Sequence, residues 1–483
     1  MVRSATHRLS GTRMLFNSFA FVTFFVVVTA LFFVLPHPLR WLLLLLASCF
    51  FYMYFVPIFI LILVVTIIID YLAGILIENT PDPRKKKIFL SMSIFSVCTV
   101  LFVFKYFNFF NANFAALAAA LHWNYSIEAL SIALPIGLSF HTFQSLSYVT
   151  EVYRGRQKAE RHFGIFALYV MYFPQLVAGP IERPQNLLHQ FHERKHFDLC
   201  RLQDGLSLAL WGLFKKVVVA DSLAIYTDTV YNASSHHSGA SLLVATYCFA
   251  FQIYCDFSGY SDIARGVSRV YGIELMKNFD APYLSKSIAE FWTRWHISLS
   301  TWFRDYVYIP LGGNRVSPAR NFFNLFFVFM LSGFWHGANW TFIVWGALHG
   351  AYLIAGRLWG IIRKRLTLSD EPSLLRQGLA VLLTFHLVLI AWVFFRARDV
   401  TTAFDIARRM LTPTGQVFYD PILVQCALGA LIVIVADWLI RRTDFWDNLD
   451  RYPVTRFAAC LAMLFGISLL GIQNGSQFIY FQF

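Results

Sequence analysis

The sequence predicts an all-α, polytopic integral membrane protein with about eleven transmembrane helices, accompanied by re-entrant and interfacial helices. Three observations predict it. Hydrophobic residues make up 58% of the 483 positions and charged residues only 14%, whereas a soluble domain carries about 25% charged residues. So few charges cannot coat the roughly three soluble domains that the length would otherwise suggest. The mean hydropathy is +0.57, and the apolar residues come in long unbroken runs rather than in alternation. That pattern argues against a transmembrane β-barrel, and the composition excludes intrinsic disorder.

Arg3, Arg8 and Arg13 precede an apolar run from Leu15 to Leu35. The charged start resembles a signal peptide. The run is nevertheless long enough to span a bilayer and no small-residue cleavage site follows, so it reads as a retained first helix. Met14 is an alternative start. A second apolar stretch, 41–77, is too long for one crossing at about 1.5 Å per residue, and Pro57 divides it into a short and a full segment. The basic run Arg84-Lys85-Lys86-Lys87 belongs in the cytoplasm. Further spans are expected near 88–107, 128–150, 205–225, 241–261, 321–335, 339–359, 378–395, 421–440 and 457–472. Segment 164–182, with Pro174 and Pro180, reads as re-entrant or broken. Basic residues in 152–161, 183–201, 265–320 and 357–365 assign those segments to the cytoplasm, and the poorly basic stretches 108–127 and 227–240 go outside. Arg396, Arg398, Arg408 and Arg409 fit this alternation badly. Three parts follow: a basic N-terminal extension (1–13), a membrane domain (14–476) and an aromatic C-terminal tail (477–483).

The balance of 40 basic and 27 acidic residues gives a net charge of +13. The basic residues sit between apolar runs, where they meet anionic headgroups, so membrane lipid and not nucleic acid is the expected partner. The seven cysteines are scattered without a CxxC pair. They read as small buried apolar residues rather than a disulfide framework or a zinc site.

The long polar insertion Ile263–Arg320 alternates aromatics with Arg294, Arg304, Arg315 and His296. An interfacial helix pair explains its composition, but not a histidine among tryptophans. His336 follows in LSGFWHGANW, between two uncharged apolar stretches. An ionisable group at membrane depth is costly and marks function or a water-lined cavity; a core histidine bonded to a backbone carbonyl is the plainer alternative. His141, Gln144, Asp256, Asp262, His349 and His386 also interrupt apolar runs. Asp256 and Asp262 flank a Ser-Gly-Tyr turn, and pairing with nearby arginines is expected there rather than a metal.

LPIGLSFHTFQSLSYVTEVYRG (134–155), FPQLVAGPIERP (173–184), GLFKKVVVADSLA (212–224), FQIYCDFSGYSDIARG (251–266), FWTRWHISLSTWFRDYVYIPLGGNR (291–315) and SGFWHG (332–337) resemble the membrane-bound O-acyltransferase family, in its bacterial branch similar to alginate O-acetyltransferase. The resemblance spans nearly the whole chain. It implies a ring of tilted helices around a central catalytic chamber, in the bacterial inner membrane. It implies an acetyltransferase that takes its acyl group from a cytoplasmic thioester, acetyl-CoA, with no bound cofactor or metal. The acetyl group would move toward an extracytoplasmic polysaccharide such as alginate, through a periplasmic polysaccharide acetyltransferase. His336 matches the family's principal catalytic histidine and His296 the second.

An imidazole can take the proton of an acceptor hydroxyl and return it to the departing thiolate. The tetrahedral oxyanion needs donors, for which Trp335, Asn339 and the second histidine, His296, are candidates. Arg294, Arg304 and Arg315 suit the phosphates of a CoA donor or lipid headgroups equally. The tail QFIYFQF is either an aromatic anchor, a docking segment for the partner, or an acyl relay through Tyr480, whose phenol ester would be activated. Peptidoglycan, cellulose or teichoic acid as acceptor, a D-alanyl carrier thioester as donor, and an exporter without chemistry are the alternatives.

Overall fold

Proline, glycine and small polar caps cut the apolar sequence into helices. The structure is a computed structural model and describes residues 14–132, 134–366, 373–443, 453–472 and 478–479. The N-terminal extension and most of the tail lie outside the described residues. All regular structure among the described residues is helical.

Helices α1 (Phe19–Val34) and α2 (His37–Met53) are followed by a tight turn at Pro57 and then α3 (Ile60–Asn79), so Pro57 divides the second run as expected. Helices α4 (Pro83–Leu101) and α5 (Phe107–Ala120) join through a π-turn, Phe102–Tyr106, into one continuous rod. Helix α6 spans Leu138–Tyr153. The expected span 128–150 begins too early, because Pro135 and Gly137 (φ +75°) hold the chain out of a helix until Leu138. Helices α7 (Phe163–Met171) and α8 (Pro184–His192) are separated by the buried turns around Pro174, so segment 164–182 is broken.

Helices α9 (Leu199–Phe214) and α10 (Asp221–Asn232) again run through a π-turn, Lys215–Ala220. The centre of the fold is α11 (Gly239–Val270), 32 residues long and buried along most of its length. Short helices α12 (Ile288–Arg294) and α13 (Ile297–Phe303) precede the antiparallel pair α14 (Pro318–His336) and α15 (Trp340–Arg365). Helices α16 (Leu374–Arg396), α17 (Val400–Leu411), α18 (Ile422–Thr443) and α19 (Pro453–Leu470) complete the chain.

Six helices among the described residues combine the length and hydropathy of a full crossing, fewer than the roughly eleven expected from apolar runs alone. Helices α1 and α2 are apolar but short, with 16 and 17 residues. Helix α14 is long enough, but Asn321, Asn324, Ser332 and His336 dilute it, and all four are buried.

Helices α9 and α11 touch backbone to backbone. A Cβ on Gly205 would sit 2.6 Å from the Gly266 carbonyl, and one on Gly212 would sit 2.5 Å from that of Gly259. Small residues allow such approach where no hydrophobic force drives helices together in lipid. Next to this seam, Asp256 and Asp262 lie inside α11 rather than beside a turn. Their main partners are lysines rather than the expected arginines. Lys216 Nζ lies 2.7 Å from Asp256 and 2.9 Å from Asp221, and Lys215 Nζ lies 2.7 Å from Asp262. Arg265 stands farther from Asp262, at 3.6 Å.

The four arginines that disturbed the charge alternation each have an acidic neighbour. Arg396 pairs with Asp228 at 2.5 Å, Arg398 with Asp399 at 3.0 Å, and Arg409 and Arg408 with Asp405 at 3.2 and 3.8 Å. Asp399 also caps α17. The Thr402 backbone N–H, with the Thr401 and Thr402 hydroxyls and Arg398, holds its carboxyl down to about 2.

Candidate functional site

His336 is the last residue of α14, where Gly337 leaves the helix in an extended conformation. Gly333 brings α14 against α15: a Cβ there would meet the Phe342 carbonyl at 2.2 Å. The close packing cages the His336 ring between Trp335, Trp345 and Phe395, with ring centroids 4.9, 5.0 and 5.4 Å away. Trp335 stacks on Phe143 of α6 at 4.8 Å. Its buried indole N–H has no hydrogen-bond partner among the described residues.

His296 is fully buried and precedes α13 with φ +44°, in the left-handed region that an L-residue rarely adopts. Asn278 explains how it is held. Its Oδ1 accepts the Ser298 backbone N–H at 3.1 Å, which fixes that atom as the oxygen. His296 Nδ1 lies 3.2 Å from the same oxygen and must therefore be the protonated nitrogen. This leaves Nε2 with a lone pair, and that atom has no partner among the described residues. Phe140 connects the two histidine surroundings, with its ring 6.2 Å from His296 and 5.7 Å from Trp335.

Sequence reasoning did not give a role to Asn278, Lys105 or His349. His349 on α15 accepts the Trp292 indole N–H at Nδ1, 3.2 Å away, so its proton is on Nε2. Trp345 stands between His349 and His336, 5.0 Å from each ring. Lys105 comes from the π-turn of the α4–α5 rod and donates to the carbonyls of Trp335 and His336. Only the polar character of His349 inside an apolar run was visible beforehand. The partners of all three residues come from far along the chain.

Two cavities adjoin these residues. One, of about 80 Å³, is lined by Lys105, Ser139, Phe140, Val177, Trp335 and His336. The other, of about 380 Å³, runs past Arg304, Tyr308, Thr301, Ile297, Val328 and Ser332. Ser332 lies one turn before His336 on α14. Its lining is mostly apolar, with Arg304 among the lining residues.

The structure thus brings His336, Trp335 and His296 into one aromatic chamber, with Arg304 lining the larger cavity. Asn339 stands apart as the cap of α15. Its Oδ1 accepts from the Thr341 backbone at 3.0 Å and its amide donates to the Arg398 carbonyl at 3.1 Å, so both ends are engaged. Arg294 is buried against Glu290, and Arg315 lies exposed in the turn before α14. Tyr480 lies outside the described residues. Its neighbours Phe478 and Ile479 are buried, with the Ile479 N–H donating to Asp256 at 2.6 Å and the Phe478 ring 5.8 Å from Phe257. Phe257 in turn lies edge-on to His296 at 4.6 Å.

The profile of the membrane-bound O-acyltransferase family matches residues 161–395, which include both site histidines. The peptidoglycan O-acetyltransferase of Helicobacter pylori is 31% identical over 97% of this chain and 98% of its own length. A probable alginate O-acetylase of Azotobacter vinelandii is 39% identical over 82% of this chain and 77% of its own. A teichoic acid D-alanyltransferase of Streptococcus thermophilus is 30% identical over 54% of this chain and 68% of its own. With its multi-pass apolar helices and this similarity along almost its whole length, the chain belongs to the membrane-bound O-acyltransferase family and is an O-acyltransferase.

Proposed function

We propose that this enzyme moves an acetyl group from cytoplasmic acetyl-CoA toward an extracytoplasmic polysaccharide, in the bacterial inner membrane, with a periplasmic acetyltransferase as partner. The observation that carries this reading is the place of His336 beside the open indole N–H of Trp335, both lining one cavity of about 80 Å³. The thioester enters past Arg304, whose guanidinium suits a phosphate. The acceptor hydroxyl gives its proton to the His336 imidazole as its oxygen bonds to the thioester carbonyl carbon. The carbonyl oxygen becomes an oxyanion and accepts the Trp335 N–H. Collapse breaks the carbon–sulfur bond, and the imidazole returns the proton to the thiolate. His296, held through Nδ1, presents a fixed lone pair in the same chamber and orients the reacting groups.

The relatives act on different polymers, and this reading takes from them an envelope polysaccharide such as alginate or peptidoglycan. The contact of Ile479 with Asp256 supports a tail that reaches the chamber, where Tyr480 would relay the acetyl group or help dock the partner.

The test is acetyl transfer from acetyl-CoA to envelope polysaccharide in membranes carrying each variant. His336→Ala should lose about 10²–10⁴ in rate while still inserting, and His296→Ala should be severely defective. Near-normal acetylation by a stably inserted His336→Ala chain would remove the assignment. Full activity in Tyr480→Phe would remove the relay and leave docking.

A further inference from the structure

We propose that Lys105 is a positioning residue of the transfer site: it clamps the last turn of α14 and so fixes where His336 and Trp335 stand. This inference rests on the assignment of His336 as the base.

The last turn of a helix leaves four carbonyls without an intrahelical donor. In α14 the first is met by the capping residue and the other three by side chains of the α4–α5 rod. The Gly333 carbonyl accepts the Gly337 N–H at 3.4 Å and the Phe334 carbonyl accepts the Tyr106 hydroxyl at 3.2 Å. The carbonyls of Trp335 and His336 accept from Lys105 Nζ at 2.7 and 3.1 Å. Two adjacent side chains of one rod thus serve three consecutive carbonyls on another helix. Both come from the π-turn Phe102–Tyr106, and such turns concentrate at functional sites.

A lysine within a membrane-length helix is expensive and marks function. The third Lys105 donor points to Ser139 Oγ at 3.4 Å, so all three of its donors have acceptors. An amino group engaged by three acceptors is suited to holding backbone. Its charge also meets the negative end of α14, whose last residue is His336, and lies 5.6 Å from the centre of the Trp335 ring. The proposed base and the proposed oxyanion donor therefore hang from backbone that one lysine side chain holds. Misplacement by about 1 Å costs on the order of 10²-fold in rate.

Lys105→Met keeps the stem and removes all three donors. In membrane vesicles bearing the full chain, with labelled acetyl-CoA as probe and envelope polysaccharide as acceptor, turnover should fall about 10- to 100-fold. KM for acetyl-CoA and the amount of inserted protein should stay unchanged. Lys105→Gln, which retains two donors on a shorter arm, should fall between Met and the parent chain. Parental turnover in Lys105→Met overturns the proposal, as does a rise in KM with turnover intact. If the Met variant does not accumulate, the Gln variant decides: lowered turnover at unchanged KM supports the clamp, and parental turnover overturns it. His336→Ala measured alongside separates the two claims. An active His336→Ala chain removes the base, whereas an inactive one beside a fully active Lys105→Met removes only the clamp.

Discussion

Around Lys215 and Lys216, the carboxylates of Asp221, Asp256 and Asp262 each face an ammonium at 2.7 to 2.9 Å. Around His336 and His296, by contrast, several polar atoms face nothing. Trp335 Nε1, Trp345 Nε1, His296 Nε2 and His349 Nε2 are buried without hydrogen-bond partners among the described residues. Both clusters lie inside the same bundle, where an unmatched polar group is costly. In the first, that cost is offset by pairing, and the cluster ties α10 and α11 to the π-turn between α9 and α10. In the second it is left standing, and a substrate can meet it. The closed cluster holds helices together, and the open one lies at the candidate site.

Three substitutions sharpen that comparison, taken from the largest expected effect. Lys216→Met should destabilise the protein by about 3–5 kcal/mol, because it strands two buried carboxylates. It should appear as lost thermal stability or lost insertion, with the specific activity of surviving protein near normal. A stable but inactive Lys216→Met protein would move the lysine cluster into the candidate site. Trp335→Phe keeps an aromatic ring against Phe143 and removes the N–H together with part of the indole. Its kcat should fall about 10²–10³-fold, or about 2.7–4 kcal/mol, with thermal stability nearly unchanged. An unchanged kcat would mean that the open indole is not an oxyanion donor. Asn339→Ala should cost only about 0.5–2 kcal/mol of stability, the usual worth of a helix cap, and leave kcat near normal. A large fall in kcat at full stability would return Asn339 to the site.

Much of this was legible in the sequence because it was local. The break at Pro57, the two histidine strings and the indole beside His336 all lie within short stretches. The Lys105 clamp was not legible, because its acceptors lie about 230 residues away. A π-turn also leaves no mark in hydrophobic periodicity, which follows the ordinary helical repeat. The expected span 128–150 failed for a different reason: apolar content was weighed above Pro135 and Gly137. Only six described helices show the length and hydropathy of a crossing, since helices buried inside a membrane protein can be polar without leaving the bundle, as α14 is. The pairing of Asp256 with Lys216 needed the fold, because the two residues lie on separate helices.

The glycine seam between α9 and α11 has a mechanical consequence. Gly205 and Gly212 recur at the same seven-residue spacing as Gly259 and Gly266, and each faces a carbonyl too close to admit a Cβ. A slide of one residue, about 1.5 Å, would set a side chain against that carbonyl, so the two helices are locked in register like the teeth of a closed zip. Alternating exposure by rocking along this pair is therefore blocked. The wall that α9 and α11 build therefore keeps a single register beside the rest of the bundle.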